Sequence, residues 1–431
     1  MILRSLASVA ALLLGSAFLL FAGGMNGLLL PIRGEIEGFT AFSLGLLGTG
    51  WAIGYVAGCV ATPWLVRRVG HVRAFGAMCA LAAITVLASL LFLTPWVWIP
   101  TRGISGFCFA GAAMIVESWL SERADKNARG RIFGVYTMVN LAATTLGQLA
   151  LTLGDPSGFV FFVVAAMVYC LALLPTAVSA SQTPAPLTSV SLDLPALWRN
   201  SPIAVFSVFM VGTSNGAFGA LAAVYASRLG LTLDEVAIFA SVPLVAGALA
   251  QVPVGALSDR FDRRIVLIVV ALLGLVADAS FIAGIFTATQ TILIASAVFG
   301  AAVFSMYPVI VAHANDHAAE GTGLQVSGGL LFVFGLGSIV GPSAAGLAMT
   351  SLGSSSLFWI TGGAHGLLVL FALIRLRARA AVPQDEKIAF KASPLTRSTT
   401  PQTAALARKS RGGPRLKGSA RGWGTLRTDQ S

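Results

Sequence analysis

Two ionisable residues stand inside long apolar stretches of this 431-residue sequence, where a charge is costly. Arg102 lies about one to two turns inside the run from Val97 to Glu117. Asp278, in the run from Arg264 to Phe286, is the only carboxylate deep within such a stretch. A guanidinium there is normally paired or faces water, and a carboxyl group can hold and release a proton because its neutral form is favoured. We interpret both as proton-coupling candidates; snorkelling of Arg102 and a packing hydrogen bond of Asp278 are the alternatives.

A second set consists of neutral polar side chains in apolar surroundings. Asn26 lies in the run GGMNG (residues 23–27), and Asn215 lies in the similar run GTSNG (residues 212–216). Amides at equivalent places can hydrogen-bond a solute in a cavity, whereas the alternative is that they join helices to one another. The complete set of residues predicted to line a cavity is Asn26, Asn215, Asn140, Gln148, Gln251 and Tyr307.

Charged residues also crowd the connections between apolar stretches. Because acids stand beside bases there, we interpret the groups as latches that are ion-paired in one conformation and separated in another. A solvated loop would explain the arginines without any gating. The candidate latch residues are Arg68, Gly70, Arg73, Glu117, Arg123, Arg131, Asp259, Arg260, Arg263 and Arg264.

Four further residues, His313, Asp316, His317 and Glu320, have the types found in metal sites. Their spacing matches no arrangement specific to a metal, so we assign them to the rim of the membrane and predict no metal. The sequence contains no phosphate-binding G-x-x-x-x-G-K-[ST] loop, no H-E-x-x-H motif and no nucleophile or acid–base constellation. We therefore predict no cofactor and no enzymatic activity.

The amino-acid composition indicates what kind of secondary structure carries these residues. Hydrophobic residues make up 56% of the chain and charged residues 10%, and the mean hydropathy is +0.84, whereas an ordinary soluble domain is about 25% charged. This excludes a soluble enzyme and, despite the net charge of +11, a nucleic-acid-binding protein. Cutting the chain at its charges, with about 20 residues for each crossing, predicts an all-α membrane protein with twelve spans.

The placement of Lys and Arg predicts the orientation of these spans. Twelve of them lie on the side of the N-terminus and three on the other, which predicts that both termini are cytoplasmic. Similarities between the first and last six spans predict two six-helix halves, residues 1–179 and 201–378, joined by a cytoplasmic linker at 180–200. The polar, basic residues 379–431 predict a disordered tail, which could attract anionic lipid.

Several motifs resemble one known family. The run GALSDRFDRR (residues 255–264) resembles the loop signature G-x-L-[AS]-D-R-x-G-R-[RK] of the major facilitator superfamily, with Asp262 where the family usually has Gly. RGISG (102–106) resembles the family's R-x-x-Q-G element with Ser in place of Gln, and residues 337–346 resemble its G-x-x-x-G-P-x-x-G-G element. ESWL (117–120) and the YP of residues 307–308 resemble a poorly characterised bacterial branch.

Small residues at helical spacing allow helices to approach each other closely. We expect such contacts within the bundle at Gly54, Gly58, Gly337, Gly341 and Pro342. In the family, the element at residues 337–346 marks span five of the antiporter subgroups, whereas here it lies in span eleven, which weakens an assignment to drug antiport.

The resemblance implies a secondary transporter of the inner membrane, whose two halves rock around a central site. We expect proton-coupled movement of a small-molecule substrate, an organic solute, with export favoured over uptake, and membrane lipid as the surroundings. An uncoupled facilitator and a non-transporting receptor or scaffold that signals through the basic tail are the alternatives. Neither the identity of the solute nor the oligomeric state follows from the sequence.

Overall fold

The computed structural model describes residues 10–123, 129–178, 192–319 and 322–378, together with Pro383, Lys387, Phe390 and Thr400. Throughout these residues the regular elements are helices, and no strand occurs among them. Most of the predicted disordered tail therefore lies outside the described residues, as do most of the linker and residues 124–128.

Twelve long helices, which we number α1 to α12, occupy the described residues. They are α1 (Ala10–Ile36), α2 (Ala41–Val69), α3 (His71–Leu91), α4 (Pro95–Arg123), α5 (Arg129–Leu149), α6 (Val160–Val178), α7 (Pro202–Arg228), α8 (Leu233–Arg260), α9 (Arg263–Ile282), α10 (Thr289–Asp316), α11 (Gly323–Leu352) and α12 (Ser356–Ala378). A 3₁₀ turn, Ala150–Leu153, continues α5, and a short helix, Leu194–Asn200, precedes α7.

Eleven of these twelve helices are long and apolar enough to cross a membrane. The exception is α5, which the sequence predicted as a span because no charge interrupts it after Arg131. Its hydroxyl and amide side chains lower its hydropathy, yet α5 lies tightly along α1. A Cβ atom at Gly24 of α1 would collide with the carbonyl oxygen of Thr144, and one at Gly147 would collide with that of Phe21. The helix is thus packed into the bundle even though its composition alone does not identify a span.

Local sequence signals explain where several helices begin and end. Gly70, with a φ of +84°, lets the chain reverse between α2 and α3, because side chains with a Cβ rarely adopt that conformation. Thr232 and Glu235 form a reciprocal capping box at the start of α8. Asp262 begins α9 by accepting a hydrogen bond from the backbone N–H of Arg264 at 2.9 Å.

Close backbone contacts hold each half together. In the first half, Gly54 and Gly58 of α2 face α4: a Cβ at Gly54 would collide with the carbonyl of Gly103, and one at Gly58 would stand 2.6 Å from that of Phe107. A close contact of the same kind in the second half joins α11 to α7. There, Cβ atoms at Gly337 and Gly341 would collide with the carbonyl oxygens of Phe209 and Thr213.

The two halves meet chiefly where α2 crosses α11. A Cβ at Gly45 would collide with the carbonyl of Pro342, and one at Gly346 would stand 2.6 Å from that of Ala41. The Thr49 hydroxyl donates to the carbonyl of Ile339 at 2.8 Å. These residues lie toward the end of the bundle opposite the α2–α3 and α8–α9 loops. We call the end with those two loops the inner end, since their arginines predict the cytoplasmic side, and the opposite end the outer end.

Two further polar contacts join the halves at the outer end. Arg228, at the end of α7, binds Glu35 of α1 through two hydrogen bonds of 2.7 and 3.1 Å. The Phe42 N–H donates to the Thr350 hydroxyl at 2.9 Å. The structure therefore represents a conformation in which the outer ends of the halves are closed against each other.

Candidate functional site

Glu117 is buried inside the bundle, with none of its surface exposed. It lies on α4, which continues to Arg123, so the carboxylate is more than a turn inside the helix and not in a loop. The Tyr136 hydroxyl of α5 donates to Oε1 at 3.3 Å, and the Thr400 hydroxyl donates to Oε2. The sequence predicts Asp278 as the only deep carboxylate, because the charge of Glu117 marks the expected end of its span. Among the described residues, the structure buries both Glu117 and Asp278 completely.

Polar residues of α1 and α5 extend the surroundings of Glu117. The Ser16 hydroxyl donates to Asn140 Oδ1 at 2.9 Å, and the Tyr136 hydroxyl lies beside both residues. We call Ser16, Glu117, Tyr136 and Asn140 the Glu117 cluster. Of the predicted cavity residues, Asn140 thus belongs to a polar site formed by three helices of the first half.

The remaining predicted cavity residues occupy five different helices. Asn26 on α1 and Asn215 on α7 are 2% and 1% exposed, and Asn26 Oδ1 has no hydrogen-bond partner among the described residues. Gln148 of α5 accepts a hydrogen bond from the Ser241 hydroxyl of α8 at 2.8 Å, which links the halves. Gln251 on α8 and Tyr307 on α10 are both buried. A buried acceptor without a partner, such as Asn26 Oδ1, is available to a water molecule or a solute.

Arg102 stands on the outer part of α4, half-buried, near Tyr169 of α6. Within the described part of the chain it forms no ion pair. Tyr169 also hydrogen-bonds Ser105, one turn further along α4, and its hydroxyl approaches Gly23 of α1. The half-buried guanidinium therefore lies against the first half without an ion-pair partner in the described residues, and an anionic group of a solute could supply one.

Asp278 belongs to a polar triad buried between α9 and α12. His365 Nδ1 lies 2.6 Å from Asp278 Oδ2, and the Thr361 hydroxyl donates to Oδ1 at 2.5 Å. Asp278, His365 and Thr361 are all 0% exposed, and His365 Nε2 has no hydrogen-bond partner in the described structure. Thr361 and His365 are not among the site residues predicted from the sequence, although a histidine inside the apolar run 356–378 is a signal that could have identified the site. The triad is placed within the second half, away from the α2–α11 contact.

The α8–α9 loop forms a network of ion pairs within the second half. The buried Arg263 guanidinium binds Asp316 of α10 at 2.6 Å, Asp259 at 3.2 Å and the Ser258 hydroxyl at 3.0 Å. Asp316, which the sequence grouped by type with His313 and His317, is thus a partner of Arg263; Glu320 lies outside the described residues. The Arg260 side chain is exposed.

Asp262 and Arg264 form a second pair in the same loop, 2.6 Å apart. Burial raises the pKa of Asp262, but the side-chain and backbone hydrogen bonds from Arg264 outweigh it and hold the pKa below the ordinary value. The loop is therefore ordered by charge pairing on its own side of the molecule.

The corresponding loop of the first half is less paired. The Arg68 guanidinium lies over the Trp64 ring, 5.6 Å from its centroid, and Arg73 is exposed. The side chains of Arg123 and Arg131 fall outside the described part of the structure. Among the predicted latch residues of the second half, Arg263 pairs with Asp259 and Arg264 pairs with Asp262.

An all-helical bundle of two halves, closed at one end and with its charged loops at the other, is typical of transporters that alternate between two conformations. The chain belongs to the Major Facilitator Superfamily, whose sequence profile matches residues 12–206 and again residues 204–430. It is a multi-pass membrane protein of this transporter family.

Comparisons with individual proteins agree with the family. An uncharacterized MFS-type transporter, YcaD of Escherichia fergusonii, is 26% identical over 379 residues, covering 86% of this chain and 96% of the relative. The crystal structure of the nucleoside transporter NupG superimposes with a TM-score of 0.74 at 14% identity, over 86% of this chain and 99% of that one. A D-xylose-proton symporter gives a TM-score of 0.66 at 16% identity, over 92% and 99%. At these identities the solved structures show that the fold is shared.

Proposed function

We propose that this chain moves a small organic solute across the cytoplasmic membrane by alternating access, driven by protons and in the direction of export. The observation that supports the mechanism best is the position of the contacts between the halves. At the outer end α2 and α11 touch backbone to backbone at Gly45 and Pro342. At the inner end Arg263 pairs with Asp259 and Asp316 of its own half. Two halves joined in this way can rock about the interface so that either end opens.

Neutral polar groups support a polar solute. The amide groups of Asn26 and Asn215 and the hydroxyl of Tyr307 lie on α1, α7 and α10, in both halves. Amides can both donate and accept hydrogen bonds, so they suit a solute with hydroxyl or amide groups. Arg102, without an ion pair in the described residues, would attract a weakly anionic group of the same solute.

A protonatable group, Asp278, and a charged group, Arg102, support coupling to protons. Asp278 is wholly buried and hydrogen-bonded to His365 and Thr361, so a proton can be shared inside the second half. Arg102, on α4, is the charged residue of the first half to which we assign a part in coupling. We propose that a change of protonation alters which conformation is favoured, as the charged form of a buried group is stabilised only where partners or water reach it.

A ligand screen tests the solute site. The purified protein is unfolded thermally in detergent with a panel of metabolites and antibacterial compounds, and the screen is repeated with Asn26→Ala combined with Asn215→Ala. A ligand present at about 100 times its dissociation constant should add about 2.7 kcal/mol to the free energy of unfolding. We expect a stabilising compound whose effect is lost in the double variant. Equal stabilisation of the variant would show that the amides do not bind the solute.

Transport of that compound in proteoliposomes tests coupling and direction. An imposed pH gradient should drive accumulation against its concentration gradient, with the sign expected for exchange of external protons for internal solute. Equilibration without accumulation would instead identify an uncoupled facilitator. No transport at all, together with a cellular phenotype that requires only the tail, would favour a receptor or scaffold.

A further inference from the structure

Two residues of the C-terminal tail contact the signature loop between α8 and α9. Lys387 Nζ donates to the carbonyl of Phe261 at 2.6 Å, and the Phe390 N–H donates to both carboxylate oxygens of Asp259, at 2.9 and 3.0 Å. The Phe390 ring lies directly on Gly255, where any Cβ would collide with it. Gly255 and Asp259, the first glycine and the aspartate of the signature, therefore form a binding site for Phe390 of the tail.

A third tail residue contacts the other half. Thr400 is 0% exposed, and its hydroxyl donates to Oε2 of Glu117 on α4. Tyr136 holds the other oxygen of the same carboxylate. Phe390 and Thr400 thus bind opposite halves of the bundle, each through an acidic residue that is predicted to be part of a latch.

We propose that the inner end of the bundle is a docking surface for the chain's own tail, and that the docked tail holds the transporter in the outer-closed conformation. The outer joint is the contact of α2 with α7 and α11 at the outer end. When it opens, the inner ends of the halves must approach each other. A segment that binds Asp259 on one half and fills a buried position beside Glu117 on the other opposes that approach. Because the tail binds one conformation better, it shifts the population toward it. This consequence rests on the proposed alternating-access mechanism; the docking itself does not.

A disulfide experiment tests the docking without any transport. The four natural cysteines, Cys59, Cys79, Cys108 and Cys170, are first replaced. A Cβ at Gly255 would stand 2.8 Å from Cγ of Phe390, so cysteines at both positions would have Cβ atoms about 4 Å apart or less, within disulfide reach. We expect Gly255→Cys with Phe390→Cys to cross-link rapidly in proteoliposomes of neutral phosphatidylcholine. The control pair is Gly255→Cys with Ser419→Cys, and equal yields from the two pairs would overturn the docking.

A labelling experiment tests the conformational consequence. Ala220 lies in the outer joint, where its Cβ faces Gly48, so the reaction of Ala220→Cys with N-ethylmaleimide reports outer opening. We expect truncation after Ala378 to raise the labelling rate about fivefold to thirtyfold, the factor produced by losing one or two net hydrogen bonds. Truncation after Pro401, which keeps Lys387, Phe390 and Thr400 but removes the most basic part of the tail, should leave the rate unchanged.

A full-length variant guards against misfolding of the truncated chain. Phe390→Ala combined with Thr400→Val removes the ring and the hydroxyl but retains the whole tail, and it should also raise the labelling rate. Unchanged labelling in both this variant and the chain truncated after Ala378 would overturn the proposed effect of the tail on conformation. Efficient cross-linking in a protein that transports no solute would instead contradict the proposed function and leave the docking intact.

Discussion

At the scale of single residues, Arg102 carries the most direct prediction about coupling. Arg102→Ala should fold normally, because the guanidinium has no ion-pair partner among the described residues, but proton-driven accumulation should fall by at least the factor of about ten typical of losing a charged contact. Arg102→Lys keeps the charge without the planar fork and should retain part of the activity. The measurement is solute accumulation in proteoliposomes at equal protein content. An unchanged rate of accumulation in Arg102→Ala would show that Arg102 has no part in coupling.

The triad of Asp278, Thr361 and His365 carries a prediction with two readouts. Asp278→Ala leaves the His365 ring and the Thr361 hydroxyl buried without their acceptor, so the free energy of unfolding should fall by about 2–3 kcal/mol. Asp278→Asn preserves an acceptor and should be milder, yet it cannot take up a proton, so transport should lose its dependence on pH. Thr361→Val is the matched control: it removes one hydrogen bond to Asp278 but leaves the carboxyl group, so transport should keep its dependence on pH. A normal pH profile in Asp278→Asn would leave the triad a structural contact between α9 and α12.

At the scale of elements, the α2–α11 joint depends on the absence of side chains. Gly45→Ala drives a Cβ into the carbonyl of Pro342, so the outer-closed conformation should lose population and Ala220→Cys should react faster with N-ethylmaleimide. Gly27→Ala on α1 is the matched control, because no atom outside its own helix lies within 4 Å of the new Cβ. Equal labelling rates in the two variants would show that this joint is not what keeps the outer end closed.

The first turn of α9 carries a prediction about pH. The pKa of Asp262 lies below its ordinary value of 3.8 in the folded protein, so the stabilisation is present above the unfolded pKa and is lost as the pH falls through the folded value. Asp262→Asn should therefore lower the free energy of unfolding by roughly 1 kcal/mol near neutral pH, and by progressively less as the pH falls below about 4. Chemical unfolding across that range measures it, with the exposed Asp234→Asn in α8 as the control. A constant difference between wild type and Asp262→Asn would contradict the assignment.

The elements themselves were largely predictable, since runs without charges locate helices by a simple energetic rule. The run from Arg199 to Arg228 predicted α7, which begins at Pro202. Partners across helices were not predictable. Asp278 and His365 are 87 residues apart, and Arg263 and Asp316 are 53 apart; their meeting depends on how each helix is rotated, which composition does not encode. The burial of Glu117 escaped prediction because α4 continues beyond the charge that seemed to end it.

At the scale of the whole molecule, we propose that the two halves exchange a closed outer end for a closed inner end. The contacts of Gly45, Thr49 and Arg228 define the first state. In the second state the inner end must close. That end holds the paired charges of the α8–α9 loop and the tail residues beside Asp259 and Glu117. Membrane proteins built from two repeats change conformation largely by rigid-body rocking, so distances at the two ends should change in opposite senses.

Spin-label distance measurements on the full chain test this exchange of closed ends. One pair of labels is placed at the outer end, at Leu93→Cys and Ile285→Cys, and another at the inner end, at Arg73→Cys and Arg260→Cys; all four natural residues are exposed. Distances are compared in acidic and alkaline buffer, with and without the stabilising solute. We predict that whenever the outer distance lengthens, the inner distance shortens. Two ends that lengthen together, or that keep one fixed distance under all conditions, would contradict alternating access.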